Sequence, residues 1–245
     1  MQIGLIGAGN MARALARGWG DPVLATDAGS GRAAALVEEL GGTVCATNAE
    51  LAQQADLVVL ACKPYQLEAI AQETEGAAKR VLSVLGATGA DALRAAFPES
   101  EVYVTIPNTP VEVRRGVMIV AEETPLPDDI RGLLERLGVV VVVPERLMGA
   151  ATATTGVTPA YVALVAEAMI DAAVKHGLKA DLAAQLVIEV LAGSAELLRD
   201  RGGDTLAMRR EVTSPGGSTA RGLAALEQAG LRTAFLDAIE AVRNG

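Results

Sequence analysis

Short β-branched runs alternate with Ala- and Leu-rich stretches from Ile3 to Val143. Ile3–Ile6, Val23–Thr26, Thr43–Ala46, Asp56–Ala61, Arg80–Leu85, Glu101–Thr105, Val117–Ala121 and Val139–Val143 read as strands. Between them, Asn10–Gly18, Gly31–Leu40, Asn48–Gln54, Pro64–Glu73, Ala90–Ala96 and Pro127–Leu137 read as helices. Gly41-Gly42 is a helix stop, Asn48 a candidate cap, and Pro64 suits a first helical turn. Strand–helix alternation of this kind predicts an α/β fold: a Rossmann-type, mostly parallel sheet with helices on both faces. After Pro144 no strand pattern follows. Ala160–His176 carries polar residues only at Glu167, Asp171 and Lys175 before its end, and Asp181–Leu198 repeats that sparse stripe with Asp181, Gln185 and Glu189. Helices apolar nearly all round need cover on all sides, which predicts an all-helical domain buried against a second subunit, the alternative being a long helix buried under the N-terminal domain. The expected division is residues 1–146, a dinucleotide-binding domain, and residues 147–245, a helical dimerisation and substrate-binding domain.

Composition narrows the function classes. The chain of 245 residues is 51% hydrophobic but only 2% aromatic, so its core is aliphatic and it lacks platforms for stacking bases. A net charge of −9 with no extended Lys/Arg cluster argues against nucleic acid and against anionic membrane surfaces. Two cysteines, Cys45 and Cys62, make no disulfide framework, so a reducing cytoplasm is the expected compartment. No secretory leader pattern and no long uncharged apolar run is apparent, and Pro159 interrupts the best candidate for one. No metal-ligand cluster stands out.

Two segments carry chemistry. The first, Gly7-Ala8-Gly9-Asn10-Met11-Ala12, sits between the first strand and the first helix, which is the context the G-x-G-x-x-A fingerprint requires. Gly7 permits the turn, Gly9 lets backbone approach a diphosphate, and Ala12 allows close helix–strand packing. The expected ligand is NADH or NADPH. Asp27 ends the second strand, where an acid accepts a ribose hydroxyl, yet Ser30 and Arg32 follow and are suited to a 2′-phosphate. The sequence leaves that choice open. Lys63-Pro64 follows the fourth strand at the sheet edge where ligands bind. Cys62 lacks an activating partner. The second segment runs from Val212 through Ser214, Gly216, Gly217 and Ser218 to Thr219, ahead of a helix expected over Ala220–Ala229. Backbone N–H groups around two glycines at a helix start make an anion nest, and three hydroxyls add hydrogen-bonding capacity suited to a carboxylate.

Ile6-Gly7-Ala8-Gly9-Asn10-Met11-Ala12, Cys62-Lys63-Pro64, Pro107-Asn108-Thr109-Pro110 and Val212–Thr219, with Pro159-Ala160-Tyr161 as a weaker fifth segment, together resemble the pyrroline-5-carboxylate reductase family over essentially the whole chain. The resemblance implies hydride transfer from NAD(P)H to the imine carbon of pyrroline-5-carboxylate, giving L-proline, in a homodimer or a larger ring of dimers. It implies that the Ser214–Thr219 loop binds the substrate carboxylate, that Thr219 hydrogen-bonds the imine nitrogen or assists its protonation, and that Pro107, Asn108 and Thr109 line the nicotinamide site. The only histidine, His176, lies in none of these motifs and reads as a helix end. Val104, Val157 and Thr158 stand where the family usually has Arg, Ser and Gly. Two alternatives stand beside this reading: a reductase of another cyclic imine or imino acid, and a non-catalytic NAD(P)-binding regulator. A hydroxyacid dehydrogenase ranks lower, because Lys175 and Lys179 sit at helix ends without the accompanying motif.

Overall fold

The computed structural model describes every residue except Ala87, Pro125 and Gly245. The chain forms two compact units, Met1–Pro159 and Ala160–Gly245.

In the first unit β1 (Ile3–Ile6), β2 (Val23–Thr26), β3 (Gly42–Val44), β4 (Leu57–Leu60), β5 (Arg80–Ser83) and β6 (Glu101–Val104) build a six-stranded sheet in the order β3-β2-β1-β4-β5-β6. All its neighbours pair in parallel. Residues of β1, β2 and β4 are buried throughout, as expected where helices cover both faces. Those helices are α1 (Asn10–Trp19), α2 (Arg32–Leu40), α3 (Asn48–Gln54), α4 (Leu67–Glu73) and α5 (Ala90–Ala96). The order reverses between β1 and β4, which places a ligand-binding crevice at their carboxyl ends. Before α4, Pro64–Gln66 forms a separate tight helical turn.

The single sheet expected from the pattern is in fact two. β7 (Ile106–Pro107) pairs antiparallel with β8 (Gly116–Ala121), and β9 (Gly138–Val143) pairs parallel with β8. Thr105 makes the transfer: its N–H donates to the Ser83 carbonyl at 3.0 Å and its hydroxyl donates to the Ile119 carbonyl at 3.1 Å. Pro107, two residues on, has no N–H with which to extend the first ladder. α6 (Asp128–Glu135) joins β8 to β9, and the Trp19 indole, fully buried, donates to the Leu133 carbonyl at 3.1 Å, tying α1 to α6. α7 (Met148–Thr155) packs on β8, so the first unit extends to Pro159.

α8 (Thr158–Lys175) leads into the second unit, which continues with α9 (Ala180–Asp200), α10 (Thr205–Glu211), α11 (Ser218–Gln228) and α12 (Leu231–Asn244). Tyr161 and Phe235 meet edge to face at 6.5 Å, holding α8 to α12. Among the described residues of this unit only Ala183 and Val187 are fully buried apolar side chains, while Leu164, Ile188 and Val190 are 64%, 57% and 52% exposed. Within Glu145–Lys175 an 18-residue stretch of mean hydropathy 1.5 makes the span long and apolar enough to cross a membrane by length and composition. Sequence alone had it interrupted at Pro159, but the helical path resumes through that residue.

Candidate functional site

A cleft of about 760 Å³ opens at the carboxyl ends of β1, β2 and β4. Gly7 and Gly9 form one wall of it, Asp27, Ser30 and Arg32 a second, and Cys62 and Lys63 a third. Gly7 has φ +98°, and a Cβ there would lie 2.7 Å from the Ala61 carbonyl oxygen, so only glycine carries the chain between β1 and β4. At Gly9 a Cβ would meet nothing within 4 Å. Gly9 precedes α1 without a side-chain cap, so the first N–H groups of that helix face open space with the dipole's positive end. Backbone can approach a diphosphate closely there, and the residues present fit a dinucleotide. Ala12 is fully buried against the sheet, and Met11 packs on the same core. The Asn10 side chain accepts from Arg13 at 2.9 Å.

Asp27 is already engaged. One carboxylate oxygen accepts from the Gly29 N–H at 2.9 Å. The other accepts from the Ser30 hydroxyl at 2.8 Å and the Ala33 N–H at 3.0 Å. The Ala33 N–H, with smaller contributions from Ser30 and Gly29, holds the carboxyl below its ordinary pKa against a weaker opposing effect of burial. Asp27 therefore fixes the loop that presents Ser30 and Arg32. Both of those side chains are exposed, and the Arg32 guanidinium makes no ion pair among the described residues.

Sequence reasoning missed the floor of the cleft. Thr47, not Asn48, caps α3, its hydroxyl accepting the Glu50 N–H at 3.1 Å. Asn48 is thereby free to line the cleft. Its amide accepts from the Thr26 hydroxyl at 2.6 Å and donates to Glu73 at 2.6 Å. The signal was present in Thr47-Asn48, two cap formers in succession, where either can take the role. On the opposite wall the Lys63 N–H donates to the Gln66 side chain at 3.0 Å, and its ammonium group is left exposed at the rim. Pro64 starts the turn behind it. Burial pushes the Cys62 thiol above its ordinary pKa, so it is not a thiolate at neutral pH.

Pro107, Asn108 and Thr109 are not in the lining of this cleft. Pro107 is buried in β7, Thr109 is exposed, and the buried Asn108 side chain points inward to the Val117 N–H and the Thr155 carbonyl. Val104 is part of the hydrophobic core. The Thr158 hydroxyl donates to the Thr154 carbonyl and Val157 is half-buried.

The Val212–Thr219 segment belongs to the second unit, between α10 and α11. Helix α11 begins at Ser218, two residues earlier than the sequence pattern suggests, so Ser218 and Thr219 occupy its first turn. Gly216 takes φ +70°, and a Cβ on Gly217 would lie 2.4 Å from the Ser214 hydroxyl. The Gly217 N–H donates to the Ser214 carbonyl at 3.0 Å, and Arg221 donates to the Gly216 carbonyl at 2.7 Å. No side chain caps α11. Its first-turn N–H groups and the neighbouring hydroxyls of Ser214 and Ser218, both exposed, thus remain available to an external acceptor. Thr219 is half-buried beside them.

A parallel sheet with a glycine crevice at its switch point, followed by a helical unit with a second anion-accepting turn, defines a dinucleotide-dependent oxidoreductase architecture. Residues 145–244 match the family model for pyrroline-5-carboxylate reductase dimerisation, and residues 2–86 match that for NADP oxidoreductase, coenzyme F420-dependent. Pyrroline-5-carboxylate reductase of a Synechocystis species is 33% identical, with 98% of this chain and 95% of that protein covered. The enzyme of the same name from Treponema pallidum is also 33% identical, covering 98% of each. The crystal structure of Plasmodium falciparum pyrroline carboxylate reductase with NADP bound superposes with a TM-score of 0.86 at 26% identity, covering 100% of this chain and 96% of that one. The chain belongs to the pyrroline-5-carboxylate reductase family, and its helical unit matches that family's dimerisation domain.

Proposed function

We propose that this protein reduces L-1-pyrroline-5-carboxylate to L-proline with NAD(P)H, as a homodimer. The observation that carries this reading is the full-length match, which spans both the glycine cleft and the Val212–Thr219 turn. The reduced nicotinamide, when bound, supplies the hydride to the imine carbon. The chain does the rest. Gly7, Gly9 and the start of α1 hold the diphosphate. The α11 N-terminus, with Ser214, Gly216, Gly217 and Ser218, holds the substrate carboxylate. The Thr219 hydroxyl hydrogen-bonds the imine nitrogen, where a proton must arrive because a protonated imine is the better hydride acceptor. With no histidine in these motifs, the proton passes through that hydroxyl or a water. The Pro107–Thr109 loop borders the nicotinamide through its exposed residue Thr109.

NADPH is the preferred cofactor on this reading. Three donors of the loop already occupy the Asp27 carboxylate, one on one oxygen and two on the other, so a ribose diol would have to share it. Ser30 and Arg32 are left at the rim to meet a 2′-phosphate. The apolar side chains exposed on α8 and α9 are the surface a partner subunit covers, which accounts for the membrane-like composition of Glu145–Lys175. A ring of such dimers and a cytoplasmic location accord with the same reading. The test is NADPH oxidation with pyrroline-5-carboxylate. Thr219→Ala should lower kcat, and an unchanged kcat in that variant would remove Thr219 from the mechanism.

A further inference from the structure

Two sequence motifs that lie fifty residues apart meet at one hydrogen bond. Helix α7 ends at Thr155 and α8 begins at Thr158, with Pro159 in its first turn. Had the helix run straight through, the Thr155 carbonyl would accept the N–H of the residue four positions on. That residue is Pro159, which has no N–H. The carbonyl is left without its helical partner, and the half-buried setting makes an unmet acceptor costly. The side chain of Asn108 fills the vacancy: its Nδ2 donates to the Thr155 carbonyl at 3.3 Å while its Oδ1 accepts the Val117 N–H at 2.8 Å. Asn108 is 8% exposed, so both bonds are shielded from water. The neighbouring Thr154 carbonyl is met separately, by the Thr158 hydroxyl.

The same loop is fixed from its other end. The Arg114 guanidinium, on a residue with φ +58°, donates to the Gly18 carbonyl at 2.8 Å, and Arg17 pairs with Glu112 at 2.9 Å. A Cβ on Gly18 would lie 2.2 Å from the Val111 carbonyl oxygen, so α1 and the loop are in direct backbone contact. Residues 107–113 are therefore clamped between α1, whose start faces the cofactor cleft, and the break between α7 and α8.

We infer that Asn108 is a positioning residue, whose side-chain amide replaces the N–H that Pro159 lacks and so locks the Pro107–Thr109 loop to the helix break at Thr155. Both ends of its buried amide are bonded to backbone, so it acts through the loop. It sets where the loop's flanking residues stand when hydride passes. The inference rests on the reductase reading, since its consequence is read in turnover.

The experiment is steady-state kinetics of the full-length wild type, Asn108→Ala, Asn108→Asp, Pro159→Ala and the Asn108→Ala/Pro159→Ala double variant, over a range of pH. Wild type without imine reduction would overturn the reductase reading itself. With wild type active, Asn108→Ala, which removes both amide hydrogen bonds, should lose about tenfold or more in kcat, with KM for NADPH changed less than about twofold. Asn108→Asp should be equally impaired at neutral pH, where a carboxylate faces the carbonyl. It should recover relative to wild type as pH falls, because a protonated carboxyl again offers a donor to Thr155. Pro159→Ala gives that carbonyl a backbone donor, so removing Asn108 in its background should cost measurably less. Full activity in Asn108→Ala would overturn the inference, and so would a loss confined to KM or to the melting temperature. An Asn108→Asp profile parallel to wild type would overturn it too, and that variant decides the matter if the alanine variant fails to fold.

Discussion

At the scale of single residues, the clearest departure from a sequence-level reading is Asp27. Its position at the end of β2 was legible, and so was its candidacy for a ribose. Its engagement was not, because that depends on where Gly29, Ser30 and Ala33 bring their donors after the chain has turned. Arg32→Ala should raise KM for NADPH about tenfold or more, by loss of a charge-assisted phosphate contact, and leave KM for NADH nearly unchanged. Asp27→Asn should raise both, because it loosens the loop rather than removing a ribose ligand. Kinetics with each cofactor separate the two outcomes. The sign of the Asp27 pH dependence follows from its lowered pKa. The stabilisation it gives is complete above the pKa of an unfolded aspartate and is lost only as pH falls through the lower folded value. NADPH affinity should accordingly carry no Asp27 titration between about pH 6 and 8, and a midpoint in that window traceable to Asp27→Asn would contradict this. The same division between position and partner explains Asn108, which lies in a motif, and Asn48, which was legible only as a candidate cap. Their positions were readable, but the partners of their amides lie up to 47 residues away in the chain.

At the scale of elements, strands and helices were largely readable because β-branched runs and Ala/Leu stretches differ in period. Several boundaries were not. The transfer from the first sheet to the second occurs at Thr105, where the expected strand ends, and the short β7 that follows it was not legible because it is decided by the hydroxyl bond to Ile119 and by Pro107. The start of α11 at Ser218 depends on Gly217 standing extended before it. α1 is the element on which the cleft depends most, since its N-terminus faces the cleft while its C-terminal Trp19 is buried with its indole bonded to Leu133. Trp19→Ala should cost about 3–5 kcal/mol in folding stability, measurable by denaturant unfolding. A loss below 1 kcal/mol, on the order of an exposed surface substitution, would mean that this contact does not hold α1.

At the scale of the whole molecule, the sparse polar stripes of α8 and α9 announced a surface in need of cover, and the structure of one chain leaves that surface exposed. Ile188→Glu should place a charge in the covered region and shift the sedimentation velocity profile from dimer to monomer, with loss of turnover, while an unaltered dimer would exclude that face from the interface. What a single sequence could not convey is how the two compact units cooperate, because the dinucleotide cleft and the Val212–Thr219 turn are each built within their own unit. Reduction of pyrroline-5-carboxylate requires both, and it is tested by following the nicotinamide absorbance as purified protein, NADPH and pyrroline-5-carboxylate are mixed. Saturable NADPH oxidation with stoichiometric formation of proline is the predicted result; tight NADPH binding with no oxidation by this substrate would contradict it.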